Sequence, residues 1–429
     1  MHHFHYRQGQ LHAEEVSVGT IAEAVGTPVY VYSTATLTRH YQLFAKAIGA
    51  PKHRVFYAMK ANSNQAVIKT LGALGSGADT VSEGEIRRAL AAGIPADRIV
   101  FSGVGKSAQE LAFAIDAGIY QINIETESEL ELLSKIAEAR GKRQSAVVRV
   151  NPDVGAGGHA KITTGSSANK FGVSFEAAGR IFARAANMPG VKMLGLATHI
   201  GSQIRELDDL EAAFTRMREL TLALRGEGLT VERLDLGGGL GIPYVMSEAV
   251  AHGPELIGAY AAMIERTLGT LEVERGFEPG RVIAGNAGIL VTKILQSNPR
   301  PHTTFLVADA AMNDLIRPAM YDAFHEIWPV RQPQADTPRR VYDVVGPVCE
   351  SGDTFATARL LPETRIGDLI AFMSAGAYGA TMSSTYNTRL LVPEVLVRGG
   401  EFAVVRPRTT YDELIGLDKL PGWLGGKET

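Results

Sequence analysis

Eight short apolar runs, each followed by a longer stretch before the next, confine this chain to a narrow set of folds. The runs are Val55–Met59, Ala78–Val81, Ile99–Phe101, Gln121–Ile124, Ala146–Val150, Leu194–His199, Leu234–Leu236 and Gly276–Glu278. The intervening stretches carry helical spacing. Within Glu127–Arg140 it is Leu130, Leu133, Ile136 and Ala137, and within Pro254–Leu271 it is Leu256, Tyr260, Ile264 and Leu268. Strands that alternate with helices build parallel sheets. Eight such units in about 230 residues predict a closed (β/α)8 TIM-like barrel, because barrels cluster near ~250 residues.

The texture changes after Ala284. Ile289–Leu295, Thr304–Ala308, Arg340–Val345, Asp368–Met373 and Thr388–Val397 read as strands with no long helix between them. Gln332–Arg339 reads as a proline-containing loop, and Thr27–Ser33 is strand-like ahead of the first barrel unit. The expected class is α/β: a barrel over residues 34–283 and a mostly-β domain over 1–33 and 284–429.

Composition removes several function classes. Lys plus Arg is 43 and Asp plus Glu 46, a net charge of −3. That lacks the basic excess a nucleic-acid binder uses to neutralise phosphates. Apolar residues at 45% and charged residues at 21% are globular values, so wholesale disorder is excluded. Cys349 is the single cysteine, which rules out an intrachain disulfide scaffold. No uninterrupted apolar run approaches the ~18 residues of a membrane span. The first residues lack the apolar core of a signal peptide, so a soluble cytoplasmic protein is expected. His2, His3 and His5 mimic a metal cluster, but a flexible end is the expected reading, and no metal is expected.

Four fragments at predicted strand ends could carry chemistry. Lys60 follows the first run in VFYAMKAN, where its amine faces the catalytic rim of a barrel and could form a Schiff base with an aldehyde. Taken alone, the fragment is more simply a solvated lysine. LGGGLG (Leu236–Gly241) follows the seventh run, where barrels often bind phosphate, although a tight turn explains it equally well. His199, in ATHIGSQ, could stack on a planar ring or shuttle a proton, with Ser202 as a phosphate donor on the same loop. EPGR (Glu278–Arg281) offers a carboxylate for a ring nitrogen and an arginine for an anion, or a plain surface turn. Individually each has a bland explanation. Together they fall on one face of one barrel.

Across nearly its whole length the sequence resembles the diaminopimelate decarboxylases, pyridoxal-phosphate enzymes on an alanine-racemase-like barrel. The matching pieces, in order, are FYAMKAN, ADTVSEGE (Ala78–Glu85), NPDV…TTG…NKFG (Asn151–Gly172), THIGSQI, LDLGGGLGI, EPGR, ADAAMNDLIRPAMYDAFH, GPVCESGDTFA and AGAYGATMSSTYN. The resemblance implies a pyridoxal 5'-phosphate cofactor held covalently by Lys60, with Asp79 beside it. Glu278 would pair with the ring nitrogen and His199 would stack on the ring. Ser202, Gly239, Gly241 and the Pro279, Gly280 and Arg281 segment would hold the phosphate, joined by Tyr378. Arg281, Arg317, Tyr321, Glu350 and Tyr378 would bind the substrate.

A homodimer with shared active sites is also implied. Cys349 and Glu350 would enter from the second subunit's β domain, with Cys349 the acid that protonates the product carbanion. The implied reaction converts meso-2,6-diaminopimelate to L-lysine and carbon dioxide, the last step of lysine biosynthesis. Related decarboxylases of D-ornithine, D-lysine or carboxynorspermidine remain alternatives. An amino acid racemase is disfavoured by Glu278, since such racemases resemble a pattern with arginine at the ring nitrogen. A short non-catalytic cofactor-binding protein is disfavoured by the β domain.

Overall fold

The computed structural model describes residues 2–50, 53–154 and 170–425, so much of the loop from Gly155 to Lys170 lies outside the described residues. The chain divides into two compact units, one over Thr36–Asn286 and the other over His2–Ala35 with Ala287–Thr429. Among the described residues no helix is long and apolar enough to cross a membrane.

The first unit is a closed eight-stranded parallel barrel. Its strands are Arg54–Ala58, Gly77–Thr80, Ile99–Phe101, Gln121–Ile124, Gln144–Arg149, Val191–Ala197, Arg233–Asp235 and Glu274–Phe277. Each coincides with one of the apolar runs. Closure occurs where Gly276 and Phe277 of the last strand pair with Arg54 and Val55 of the first. The helices behind the strands start on polar caps. The Asn64, Ser82, Ser107 and Thr126 side chains each accept an amide N–H of the following first turn, at 2.9, 3.2, 3.2 and 3.1 Å. Such caps satisfy donors that a helix start otherwise leaves bare. They set short, fixed loops at the rim. The helix expected over Glu127–Arg140 is Glu127–Glu138. The one expected from Pro254 begins earlier and spans Met246–Leu268, with Pro254 inside it.

The second unit is built on a nine-stranded mixed sheet. Its long strand, Gly288–Pro299, pairs antiparallel with Val29–Ser33, Leu369–Phe372 and Thr304–Ala308. Glu394–Arg398 lies parallel to Val29–Ser33 on the far side. The strand expected over Thr388–Val397 is therefore shorter at its start. Tyr386–Thr388 forms a 3-10 turn instead, and Pro393 has no N–H for a ladder. Three strands absent from the sequence reading complete the sheet: Ile327–Pro329, paired antiparallel with Leu369–Phe372, Thr354–Pro362, bulged near Ala358, and Glu401–Arg406. The first residues form a small three-stranded sheet, Phe4–Arg7, Gln10–Ala13 and Val16–Ser17. This corrects the expectation of a flexible histidine-rich end. Phe4 is buried and anchors the hairpin, and His5 pairs across it with His12.

Leu11, fully buried, belongs to a cluster with Ile21, Val31, Ile289, Val291 and Val395, against which Trp328 packs. Trp423, the other of the two tryptophans, is exposed. In a Trp423→Phe background, tryptophan fluorescence therefore follows this cluster alone. Leu11→Ala should lower the stability read by that signal by about 2–5 kcal/mol in urea unfolding. An unmoved midpoint would mean that the hairpin contributes nothing to this core.

Candidate active site

Lys60 lies two residues beyond the first barrel strand, and Asp79 lies in the second. Their side chains meet at 3.2 Å between Nζ and Oδ2, with the lysine 37% exposed and the carboxylate fully buried. The other carboxylate oxygen, Asp79 Oδ1, is buried with no hydrogen-bond partner among the described residues. Orphaned buried acceptors are costly, and they mark places where a ligand completes the bonding.

Glu278 follows the eighth strand and is buried. Its Oε1 accepts weakly from Ser102 Oγ and Asn123 Nδ2, both at 3.4 Å. Asp235, at the end of the seventh strand, is also buried. It accepts from the Gly237 amide at 3.0 Å and from Gln121 Nε2 at 3.1 Å. Burial pushes the Glu278 carboxyl well above the usual range, the neighbouring Asp235 and Asp79 raise it further, and Lys60 opposes them. Burial raises Asp235 as well. Two buried carboxyls this close do not both ionise readily, and the upward push is the stronger on Glu278. A cation placed here would relieve the repulsion and convert Glu278 to its carboxylate.

The glycine loop wraps the same rim. Gly238 approaches the eighth strand so closely that a Cβ there would stand 2.2 Å from the Glu278 carbonyl oxygen. Gly239 adopts φ +110°, and a Cβ on it would meet the Gly201 carbonyl at 2.6 Å. Only glycine fits this path. The Gly238 amide donates to His199 Nδ1 at 3.2 Å, which leaves the ring proton on Nε2. Burial, Lys60 and Arg149 hold the His199 pKa well below its usual value, so the ring is neutral and flat at physiological pH. Gly241 continues the loop, its amide bonded to the Ile204 carbonyl at 2.8 Å. Pro279 accepts the Ala58 amide at 3.1 Å, tying EPGR to the first strand beside Lys60. Gly280 packs against Ala58 and Ala61. Arg281, buried, donates to Ser202 Oγ at 3.0 and 3.3 Å and to Tyr244 OH at 2.6 Å.

The remaining residues singled out in the sequence belong to the second unit. Arg317 and Tyr321 begin and end a five-residue helix. Arg317 is buried, and its Nη1 lies 2.8 Å from His325 Nε2. Cys349 and Glu350 are exposed on a loop braced by the buried Asp353, whose carboxylate accepts the Met312 amide at 2.6 Å and the Val348 amide at 2.7 Å. Tyr378 holds φ +57°, a left-handed conformation that bulky residues rarely adopt outside specialised sites.

Several participants were passed over in the sequence. Asn123 and Gln121 sit inside an apolar run, and Asp235 immediately precedes the glycines. A polar side chain within a fully buried strand was the available signal. Arg149 pairs with Glu125 at 2.8 Å on the same rim, and Tyr244 holds Arg281. The rim thus offers a half-exposed amine beside a carboxylate, a carboxyl cluster that favours a cation, a neutral planar ring and a glycine-lined backbone path. Pyridoxal phosphate has a matching aldehyde, ring nitrogen, aromatic face and phosphate, and the donor set fits it.

Comparison with known proteins agrees. The profile of the family described as pyridoxal-dependent decarboxylase, pyridoxal binding domain, matches residues 34–285. The chain is 45% identical to the diaminopimelate decarboxylase of Zymomonas mobilis, over 98% of this chain and 99% of that protein. It is 44% identical to that of Pseudomonas aeruginosa, over 97% and 99%. The crystal structure of diaminopimelate decarboxylase from Helicobacter pylori complexed with L-lysine superposes with a TM-score of 0.87 at 36% identity, covering 93% of this chain and 98% of that one. With a relative this similar over its full length and the family's cofactor-binding profile over its barrel, the chain belongs to the pyridoxal-dependent decarboxylases and, among them, to the diaminopimelate decarboxylases.

Proposed function

We propose that the chain removes the carboxylate from one amino acid centre of meso-2,6-diaminopimelate, releasing carbon dioxide and L-lysine in the last step of lysine biosynthesis. What carries the reading is the Lys60, Asp79 and Glu278 constellation on one barrel rim in a chain of full-length similarity to such enzymes. Pyridoxal phosphate, when bound, supplies the sink that takes up the bonding electrons as carbon dioxide departs. Lys60 would hold the cofactor covalently and would be the group that the substrate's amine displaces. Glu278 would hold a proton at the ring nitrogen, supported by the negative field of Asp235 and Asp79. His199 would lie against the ring as a neutral imidazole. Ser202, Gly239, Gly241, Pro279, Gly280 and Arg281 would receive the phosphate, joined by Tyr378.

Substrate orientation falls to Arg281, Arg317, Tyr321, Glu350 and Tyr378. The Arg317 guanidinium suits the distal carboxylate and Glu350 the distal ammonium. Cys349 returns a proton to the reacting carbon. The enzyme is read as a cytoplasmic homodimer, each site using Lys60 of one chain with Cys349 and Glu350 of the other. Decarboxylation of D-ornithine, D-lysine or carboxynorspermidine is the second reading. It lacks a use for a buried guanidinium aimed at a distal carboxylate.

Three outcomes check this function. Borohydride reduction of the yellow holoenzyme followed by peptide mapping should place the pyridoxyl group on Lys60, and a label on another lysine would sink the assignment. Glu278→Gln should retain cofactor absorbance yet lose at least about 100-fold in kcat, because an amide cannot hold the ring proton as a carboxylate does. Near wild-type turnover would remove Glu278 from that role. Finally, Lys60→Ala and Cys349→Ala proteins should each be nearly inactive, yet regain activity on subunit exchange. In a mixed dimer with shared sites, one site inherits both lesions and the other inherits none. If mixing restores nothing, each site is built within one chain.

A further inference from the structure

We propose that Gln121 is a positioning residue for the cofactor's ring nitrogen: with its amide oxygen held by Arg233, it turns its NH2 group toward Asp235 and Asn123 and so maintains the negative charge beside Glu278. The inference deepens, and rests on, the reading of Glu278 as the partner of the ring nitrogen.

The geometry lies wholly within the barrel. Gln121 and Asn123 stand two residues apart on the fourth strand, and Arg233 and Asp235 two apart on the seventh. Residues at that spacing share a face. The two strands are not neighbours in the barrel, so bonds between them cross its interior. Arg233 Nη1 donates to Gln121 Oε1 at 2.9 Å. Gln121 Nε2 donates to Asn123 Oδ1 at 2.7 Å and to Asp235 Oδ2 at 3.1 Å. Asn123 Nδ2 then donates to Ser102 Oγ at 3.1 Å, and at 3.4 Å to Asp235 Oδ2 and to Glu278 Oε1. Arg233 has anchors besides Gln121. Its guanidinium lies 4.0 Å from the centre of the Tyr120 ring, and its Nη2 lies 3.4 Å from Glu274 Oε2.

The two ends of an amide have nearly the same shape, so its neighbours decide which way it points. A guanidinium only donates, and the Gln121 atom that meets Arg233 is therefore the oxygen. The NH2 end must then face Asn123 and Asp235. Turned over, Gln121 would set its oxygen against the Asp235 carboxyl and against Asn123 Oδ1, and Asn123 would lose the donor that fixes its own direction. The Arg233–Glu274 pair, toward the opposite end of the barrel, thus sets the direction of both side-chain amides up to the rim. Asp235 receives donors from Gln121, Asn123 and the Gly237 amide. Burial raises the Asp235 carboxyl, and donors of this kind oppose that rise by favouring the carboxylate. A carboxylate beside Glu278 favours a protonated ring nitrogen over a neutral one.

The test loads the full chain with pyridoxal phosphate, or with the analogue that carries a C–H in place of the ring nitrogen, and measures a dissociation constant for each. The ratio of the two constants, analogue over natural cofactor, reads what the nitrogen contributes. Gln121→Met keeps the length of the side chain and removes both its donor and its acceptor. Q121M should bind pyridoxal phosphate about tenfold or more weakly and bind the analogue nearly as wild type does, so that the ratio falls by that factor. A merely structural role would weaken both cofactors alike. An unchanged ratio would therefore overturn the proposal. The melting temperature of the analogue-loaded protein confirms a folded chain, and should Q121M fail that check, Q121L takes its place. Glu278→Gln separates the proposal from its premise. If E278Q keeps the wild-type ratio, Glu278 does not read the nitrogen and both readings fall. If E278Q lowers the ratio and Q121M does not, Glu278 stands and Gln121 does not act through it.

Discussion

The contact on which the site depends is the closure of the barrel between its last and first strands. Lys60 extends from the first strand and Glu278 from the eighth. In an open sheet of the same order they would stand at opposite edges, seven spacings of about 4.8 Å apart, or roughly 34 Å. Pairing of Gly276 and Phe277 with Arg54 and Val55 makes them neighbours. Barrel order then runs Asp235, Glu278, Lys60, Asp79 on four consecutive strands, with His199 and Ser202 just before them. Parallel strands all end on one rim, so closure alone converts residues spread over 219 positions (Lys60 to Glu278) into one site.

Such a rim is costly without a ligand. Asp79, Asp235 and Glu278 are all buried, and only part of their charge is met by Lys60 and by amide donors. Burial and the neighbouring Asp235 and Asp79 raise the Glu278 carboxyl well above its usual range. The arrangement thus favours a cation, and a protonated ring nitrogen would be one. The same potential that disfavours ionised carboxylates here would stabilise such a ring in the form that withdraws electrons. Lys106 meets the opposite problem nearby. Its ammonium is buried, but Glu129 at 2.6 Å and two carbonyl oxygens hold it, so it serves structure rather than chemistry.

How much of this the sequence disclosed depended on the physics behind each signal. The barrel strands are buried on both faces, so they appear as apolar runs, and all eight were legible. The glycine loop and EPGR were legible because close backbone approach leaves a compositional mark. Asp235, Asn123 and Gln121 were not singled out, because a polar group inside a barrel is revealed by its partners on other strands. Glu401–Arg406 went unread because it is a largely exposed strand without apolar alternation, although the Gly399–Gly400 turn ahead of it was a hairpin signal. The ordered N-terminal hairpin was hidden by its histidines, while Phe4 and Leu11 carried the fold. The pairing of Arg317 with His325 needed the left-handed turn at Asp322, which the residue type did not announce.

A substrate with an amino acid centre at each end poses a problem of selection. Both ends present an amine and a carboxylate, and only one carboxylate leaves. A guanidinium on the departing carboxylate would stabilise the ground state and slow the loss of carbon dioxide, because only interactions stronger in the transition state accelerate a step. A strong cation belongs on the carboxylate that stays. A cation placed there would reject ligands lacking the distal carboxylate by the cost of leaving its charge unmet rather than by lack of room.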